Sequence, residues 1–156
     1  MSVRLAVPEE AERLWLIRNL AIRAGCQTSY DEAVIRRWTP ENMPEHYRKM
    51  IQINPFYVVE DENGEAVATG YLDLETCCVE AVFTLPDAAG KGLATQILDA
   101  IKQEAKARGM TRLTLSSTPN AHSFYQKHGF VTLGENRYPS RLAEAELRCF
   151  DMAIDL

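Results

Sequence analysis

A glycine-containing loop between a predicted strand and a predicted helix carries the clearest chemical signal in this sequence. The strand covers 77–85, the loop reads Ala89-Gly90-Lys91-Gly92-Leu93-Ala94, and a long helical pattern follows. Backbone amides at a helix N-terminus bind anions, and glycines let the backbone approach a pyrophosphate closely. Lys91 adds a positive charge. The loop therefore predicts a phosphate-binding site, although a plain strand-to-helix turn containing glycine would show the same residues.

Two better-known phosphate motifs are excluded by the residues beside these glycines. A P-loop requires Gly-Lys followed by Ser or Thr, whereas Lys91 is followed by Gly92. The dinucleotide-binding fingerprint requires a third glycine at position 95, which is Thr95. A small nucleotide-binding domain is therefore a weak alternative.

A second segment, which follows the next predicted strand, completes a family pattern. Residues 121–130 read Ala-His-Ser-Phe-Tyr-Gln-Lys-His-Gly-Phe. With the loop, this segment resembles the GCN5-related N-acetyltransferase (GNAT) superfamily, whose signatures are Arg/Gln-x-x-Gly-x-Gly/Ala and roughly Ala-x-x-Phe/Leu-Tyr-x-x-x-Gly-Phe. The loop departs only at its first position, Ala89, and Pro86 stands four residues before the first glycine, as is usual in the family. The motifs cover 77–130, and the element order fits nearly the whole chain.

The resemblance implies acetyl-CoA as co-substrate and no metal. It assigns the pyrophosphate to the loop amides and the pantetheine arm to the strand before the loop. Many members carry an Asn three residues before the second motif; here that residue is Thr118, and Asn120 lies two residues later. Either of these two residues could contact CoA, and we predict Asn120. The predicted cofactor-binding residues are Val82, Phe83, Thr84, Gly90, Lys91, Gly92, Leu93, Ala94, Thr95 and Asn120.

The activity that the resemblance implies is N-acetyl transfer to a primary amine, on a small molecule or a peptide, by direct attack without a covalent enzyme intermediate. The attacking amine must lose a proton and the departing thiolate must gain one. Some members carry a catalytic Glu on this strand three residues before a Phe, which predicts Glu80 as the base. In matching members the Tyr of Phe-Tyr lies near the CoA sulfur, which predicts Tyr125 as the acid.

Each assignment has an alternative. Tyr125 could be a core tyrosine, and Glu80 could be a solvent-facing or ion-paired carboxylate; Asp73, Glu75 or a water relay would then be the base. Neither His122 nor His128 is assigned a role. The alternative function is a non-catalytic acyl-CoA-binding sensor or partner subunit, which the departure at the first loop position favours. Helix aromatics that could either shape the acceptor pocket or fill the core are Tyr30, Trp38 and Tyr47.

Composition indicates one globular domain over residues 1–156. Apolar residues make up 46% and charged residues 25%, which is ordinary. A net charge of −5 disfavours nucleic acid as a partner, and no apolar run is long enough to cross a membrane.

The four cysteines match no metal or disulfide spacing, and the start lacks an apolar signal segment, so we expect a cytoplasmic protein with reduced thiols. The resemblance leaves a homodimer open.

The elements that must position these residues indicate the α/β (α+β) class. We predict a three-layer fold in which a central mixed and, as in the family, strongly bent sheet is flanked by helices. The predicted order is βααβββαβαβ with a final strand. Asn63-Gly64 predicts a hairpin, and the helix after the loop buries a stripe that includes Ile97 and Ile101.

Several finer patterns concern the surroundings of the site. Ser29 to Glu32 predicts a capping box, and Thr39-Pro40 predicts a further helix start. Strict alternation along 77–85 would place Glu80 on the face opposite Phe83. We predict a loop over 134–146 that helps, with residues 20–55, to select the acceptor.

Overall fold

One seven-stranded mixed sheet forms the centre of the molecule, in the order β1-β2-β3-β4-β5-β7-β6. The computed structural model describes residues 2–156. The strands are β1 (Val3–Leu5), β2 (Phe56–Glu60), β3 (Ala66–Asp73), β4 (Cys78–Thr84), β5 (Arg112–Ser117), β6 (Val131–Ser140) and β7 (Ala145–Asp155). The helices are α1 (Ala11–Gly25), α2 (Glu32–Trp38), α3 (Glu45–Ile53), α4 (Leu93–Ala107) and α5 (His122–Lys127). In the described part of the chain, no helix is both long and apolar enough to cross a membrane.

Helices cover both faces of the sheet, as predicted. Val58 packs in the cluster that contains Leu14 and Ile17 of α1, whereas its neighbour Val59 packs in the cluster that contains Ile97 and other residues of α4. Successive side chains of a strand point to opposite faces, so α1 and α4 lie on opposite sides of β2. The predicted three-layer fold is confirmed.

The sheet parts at its centre, where β4 and β5 run parallel. Their only paired residues in the described chain are Cys78 and Thr114, near the start of β4. Beyond this pair β4 is bonded to β3 alone, so its second edge is open over Val82–Thr84. The separation of β4 from β5 leaves a gap in the sheet, where backbone hydrogen bonds between two neighbouring strands would otherwise form.

A bulge in β4 corrects the predicted alternation. Thr69 pairs with Phe83, but Tyr71 pairs with Glu80, so Gly70 alone faces two residues of β4. Ala81 takes up the extra residue with a φ of +53°, in the left-handed region. Val82 consequently packs with the α4 cluster and Phe83 with the α1 clusters. Glu80 and Phe83 therefore share a side of the sheet, and the prediction that they oppose each other is wrong.

The segment 134–146 is a strand pair rather than the predicted loop. Strand β6 continues to Ser140 and pairs with β7, which starts at Ala145. Most residues of β6 are exposed, because it is the edge strand of the sheet. Without a buried face, its sequence shows no alternation of apolar and polar residues, which is the signal for a half-buried strand.

Two predicted helix starts are also wrong. The N-cap of α2 is Asp31 and no side chain caps it, so Ser29 forms no capping box. Thr39 is the C-cap of α2 instead of the start of α3, since its N–H and its hydroxyl both donate back to the Ile35 carbonyl, at 3.1 and 2.8 Å. Helix α3 follows Pro44, so the third helix implied by the predicted start at Thr39-Pro40 exists but begins later, and three helices precede β2 where the predicted order has two.

Candidate functional site

The loop before α4 adopts the conformation that an anion cradle requires. Gly90 and Gly92 have φ angles of +80° and +76°, and Gly92 is the N-cap of α4. No heavy atom lies within 4 Å of a Cβ built on either glycine, so the space above the loop is open. Residues other than glycine rarely adopt this backbone. The glycines thus turn the chain so that the helix N-terminus faces open space.

Six consecutive amides of this loop are without acceptors. Among the described residues, the N–H groups from Gly90 to Thr95 donate no hydrogen bond, and the ladder of α4 starts with Gln96 donating to Gly92 at 3.2 Å. No side chain caps the helix. Six free donors at the positive end of a helix dipole suit a ligand with several anionic oxygens. These residues fit the pyrophosphate of CoA.

Thr95 has a second connection, to a histidine that had no predicted role. The Nδ1 of His128 lies 2.8 Å from the Phe124 carbonyl, which only accepts, so Nδ1 carries a hydrogen. In the neutral ring, Nε2 then accepts from the Thr95 hydroxyl at 3.0 Å. This bond ties the N-terminal turn of α4 to α5.

A cavity of about 230 Å³ lies on the α1 side of the sheet, at the parting of β4 and β5. It is lined by helices, by both parted strands and by the β6–β7 hairpin. The lining residues are Arg18, Ile22, Tyr30, Trp38, Glu80, Ala81, Phe83, Ser116, Thr118, Tyr138, Leu147 and Cys149. The cavity joins the predicted base to residues that are far from it in the sequence.

Glu80 is the one carboxylate among the described lining residues. Burial raises its pKa from 4.5 to about 7, and the nearby Asp73 adds to the rise. No ion pair or side-chain hydrogen bond to Glu80 is found within residues 2–156, so the ion-paired alternative is not observed. A carboxyl group with a pKa near neutrality is suited to accept a proton at physiological pH.

Tyr125 lies behind this cavity, in the α4 cluster, with 8% of its surface exposed. Its ring packs edge-on against Phe124 and Phe130. Burial raises the pKa of its hydroxyl, and the charge of Glu80 raises this pKa further. The hydroxyl is therefore protonated at neutral pH, and it makes no hydrogen bond within the described chain, so it is available as a donor.

The other predicted residues lie in the cavity, in the core or, for Asn120, beside the end of α1. Tyr30 and Trp38 line the cavity, whereas Tyr47 packs edge-on against Trp15 in the core beside α1. Thr118 lines the cavity. Asn120 instead accepts a 3.4 Å hydrogen bond from the Cys26 thiol at the end of α1.

Sequence reasoning missed Arg18 and Ser116 as lining residues, and it included Tyr138 only as part of 134–146, the segment predicted to help select the acceptor. Arg18 is on α1, outside both family signatures, and an arginine on an amphipathic helix is usually a surface residue. Tyr138 lies in the segment taken for a loop, and 54% of its surface is exposed. Arg18 and Tyr138 are identified as site residues only because each lines the same cavity as Glu80.

Comparison with known proteins gives a family match over most of the chain. A family model described as an acetyltransferase (GNAT) domain matches residues 26–156. YwnH of Bacillus subtilis (strain 168), whose name provisionally describes a phosphinothricin acetyltransferase, is 27% identical over 99% of this chain and 96% of its own.

Solved structures show the same fold. A GCN5-related N-acetyltransferase from Rhodopseudomonas palustris superposes with a TM-score of 0.89 at 22% identity, covering 99% of this chain and 95% of the other. The structure of yncA from Salmonella typhimurium with its cofactor acetyl-CoA gives a TM-score of 0.70 at 19% identity, over 100% and 94% of the two chains.

Proposed function

This chain belongs to the acetyltransferase (GNAT) family, and we propose that it transfers an acetyl group from acetyl-CoA to a primary amine by direct attack, without a covalent enzyme intermediate. The observation that carries the proposal is the run of six unbonded amides from Gly90 to Thr95, on a loop that leads directly from the strand bearing Glu80. The strand that carries the proton acceptor thus leads into the binding site for the CoA pyrophosphate.

Glu80 acts as the base in this proposal. A protonated amine has no lone pair for attack, so a group in the cavity must take its proton. The carboxyl group of Glu80 has a pKa of about 7, high enough to hold that proton and low enough for the ionised form to be present at neutrality. Asp73, the earlier alternative, raises the pKa of Glu80 and does not line the cavity.

Tyr125 and the open edge of β4 serve the other half of the reaction. Acetyl-CoA supplies the acetyl thioester. The backbone groups of Val82–Thr84 on the unpaired edge can hold the pantetheine arm and polarise the thioester carbonyl. As the N–C bond forms and the C–S bond breaks, Tyr125 donates its hydroxyl proton to the departing sulfur. Positioning both substrates in line supplies roughly 7–11 kcal/mol in favourable cases.

Thermal unfolding with and without acetyl-CoA tests the cofactor half. A ligand that binds only the native state raises the midpoint, by an amount that grows with its concentration. Thiol release is then followed with polyamines, amino acids, peptides with free N-termini and phosphinothricin. A raised midpoint with thiol release from any amine supports the enzyme. A raised midpoint without release supports the sensor, and an unchanged midpoint at millimolar acetyl-CoA contradicts both.

A further inference from the structure

Arg18 of α1 lines the cavity, and two of its guanidinium nitrogens donate no hydrogen bond to any described residue. Its Nη1 donates to the Asn19 side chain at 2.8 Å and to the Trp38 carbonyl at 2.9 Å. Its Nε and Nη2 donate to nothing in the described chain, and no carboxylate oxygen there lies within 4.0 Å of its nitrogens. The other arginines on α1, Arg13 and Arg23, both have carboxylate partners.

The surroundings of Arg18 hold its planar group in place. The guanidinium carbon lies 4.3 Å from the centre of the Trp15 ring and 5.7 Å from that of Trp38. Burial lowers the pKa of Arg18 to about 10, and the neighbouring Tyr47 is neutral because burial raises its own pKa. A positive charge is therefore partly buried here with no carboxylate oxygen within 4.0 Å of it among residues 2–156, an arrangement that favours binding of an anion.

The pyrophosphate of CoA is not the anion that Arg18 is placed to bind. The loop amides at Gly90–Thr95 stand at the start of α4, which packs on the other face of the sheet. Arg18 is instead the one basic residue, and Glu80 the one acidic residue, among the described residues that line the cavity. The two groups sit on different elements, α1 and β4.

We infer that the acceptor carries an oxyanion as well as its amine, so that Arg18 binds the oxyanion while Glu80 receives the proton of the amine. The free Nε and Nη2 hydrogens form the fork that pairs with both oxygens of a carboxylate or of a phosphonate. At about 230 Å³ the cavity is smaller than the roughly 300–1,000 Å³ of drug-sized pockets, which indicates a small acceptor such as an amino acid. This inference rests on the proposed function and names its acceptor class.

Matched acceptors test it on the unaltered protein. Thiol release from acetyl-CoA is measured with L-methionine, L-phenylalanine and L-glutamate, each beside its α-amide, and with 1-aminoethylphosphonate as the alternative oxyanion. We expect kcat/KM to be on the order of 10²-fold higher for the acids than for the amides. The α-amine of an amide loses its proton more readily, so amine basicity works against this result. Amides that react as well as the acids would overturn the inference and leave the acetyltransferase intact.

Variants connect the preference to Arg18. Arg18→Gln should bring the kcat/KM ratio of each acid to its amide down to about one, and Arg18→Lys should keep only part of that ratio, because an ammonium lacks the planar fork. Arg23→Gln is the matched control on the same helix, since Arg23 pairs with Glu41 outside the cavity. An acid preference that survives in Arg18→Gln would contradict the assignment.

A binding measurement keeps the test independent of turnover. Thermal unfolding is followed with N-acetyl-L-methionine and with its amide, which lack a reactive amine. The oxyanion site is supported, even if no thiol release is found, when the acid but not the amide raises the unfolding midpoint of the wild type and of Arg23→Gln. The acid should not raise the unfolding midpoint of Arg18→Gln. Equal midpoints with both compounds, together with equal rates on acids and amides, would overturn the oxyanion site alone. Absence of thiol release from every amine would count against the proposed function.

Discussion

Tyr71 and Glu80 face each other directly across the antiparallel pair β3–β4, and Glu80 immediately precedes the bulge at Ala81. Burial raises the pKa of both side chains, and the charge of Glu80 adds to the rise for Tyr71. At neutral pH this pair therefore consists of a neutral phenol and a carboxyl group that titrates near that pH. The chemistry of the cavity should follow the ionisation of Glu80.

The first prediction is a pH dependence. Glu80 must be ionised to accept a proton, so kcat/KM should fall by about tenfold per pH unit below a pKa near 7, with a further rise at higher pH from the acceptor amine. In Glu80→Gln the limb near 7 should disappear and the rate should fall. A limb near 7 that persists in the variant would assign the base to a water relay or to another residue.

The second prediction concerns stability. The folded pKa of Glu80, about 7, lies above its unfolded value of 4.5, so ionisation costs the native state stability as pH rises from 4.5 to 7. Above pH 7 this cost corresponds to about 3 kcal/mol. Glu80→Gln should therefore be more stable than the wild type at pH 8 and should lose that advantage below pH 4.5, as measured by denaturant unfolding. Equal stability at pH 8 would show that Glu80 is not buried in its charged form.

The third prediction concerns the proton donor. Tyr125→Phe keeps the ring contacts with Phe124 and Phe130 and removes only the hydroxyl, which has no partner in the described chain. We expect the turnover number to fall by roughly 10²–10⁴ with little change in the affinity for acetyl-CoA or in the unfolding midpoint. An unchanged turnover number would remove Tyr125 from the mechanism.

The fourth prediction concerns the loop amides. Gly92→Val puts a branched side chain into a backbone with a φ of +76°, at the helix terminus where six amides are free. CoA binding, followed by calorimetry, should be lost. Gly109→Val is the matched control, because Gly109 has a φ of +81°, equally open space, and a position after the C-terminus of the same helix. Both variants should lose similar stability, and only Gly92→Val should lose the ligand.

The fifth prediction concerns the bulge. A Cβ on Gly70 would lie 2.7 Å from Cγ2 of Ile97 and 2.9 Å from Cγ2 of Val82. Because β-branched side chains cannot easily turn away, Gly70→Ala should cost roughly 1–3 kcal/mol of unfolding free energy. The control Gly134→Ala, in strand β6 with nothing within 4 Å of its Cβ, should cost far less. Similar losses in the two variants would contradict the close approach of β3 to α4.

Much of the fold and of the cofactor loop could be predicted because the signals are local. The hairpin at Asn63-Gly64, the buried stripe of α4 and the left-handed Gly92 each depend on a few adjacent residues. The length of β6 could not be predicted, because its outer edge is exposed and its residues follow no period. Local patterns fix dihedral angles and periodicity, but an edge strand is defined by the partner it pairs with.

The sequence alone determined the family, the layered fold and the loop that precedes α4. The tertiary structure decided which residues share the cavity, since the bulge at Ala81 turns Glu80 to the same side as Phe83. It also brought Arg18 into that cavity from α1. The physical reason is that the direction of side chains after a bulge depends on how the strands and helices pack, and so do the contacts between elements that are distant in sequence. Two features of that packing matter here: β3 approaches α4 closely at Gly70, and β4 separates from β5.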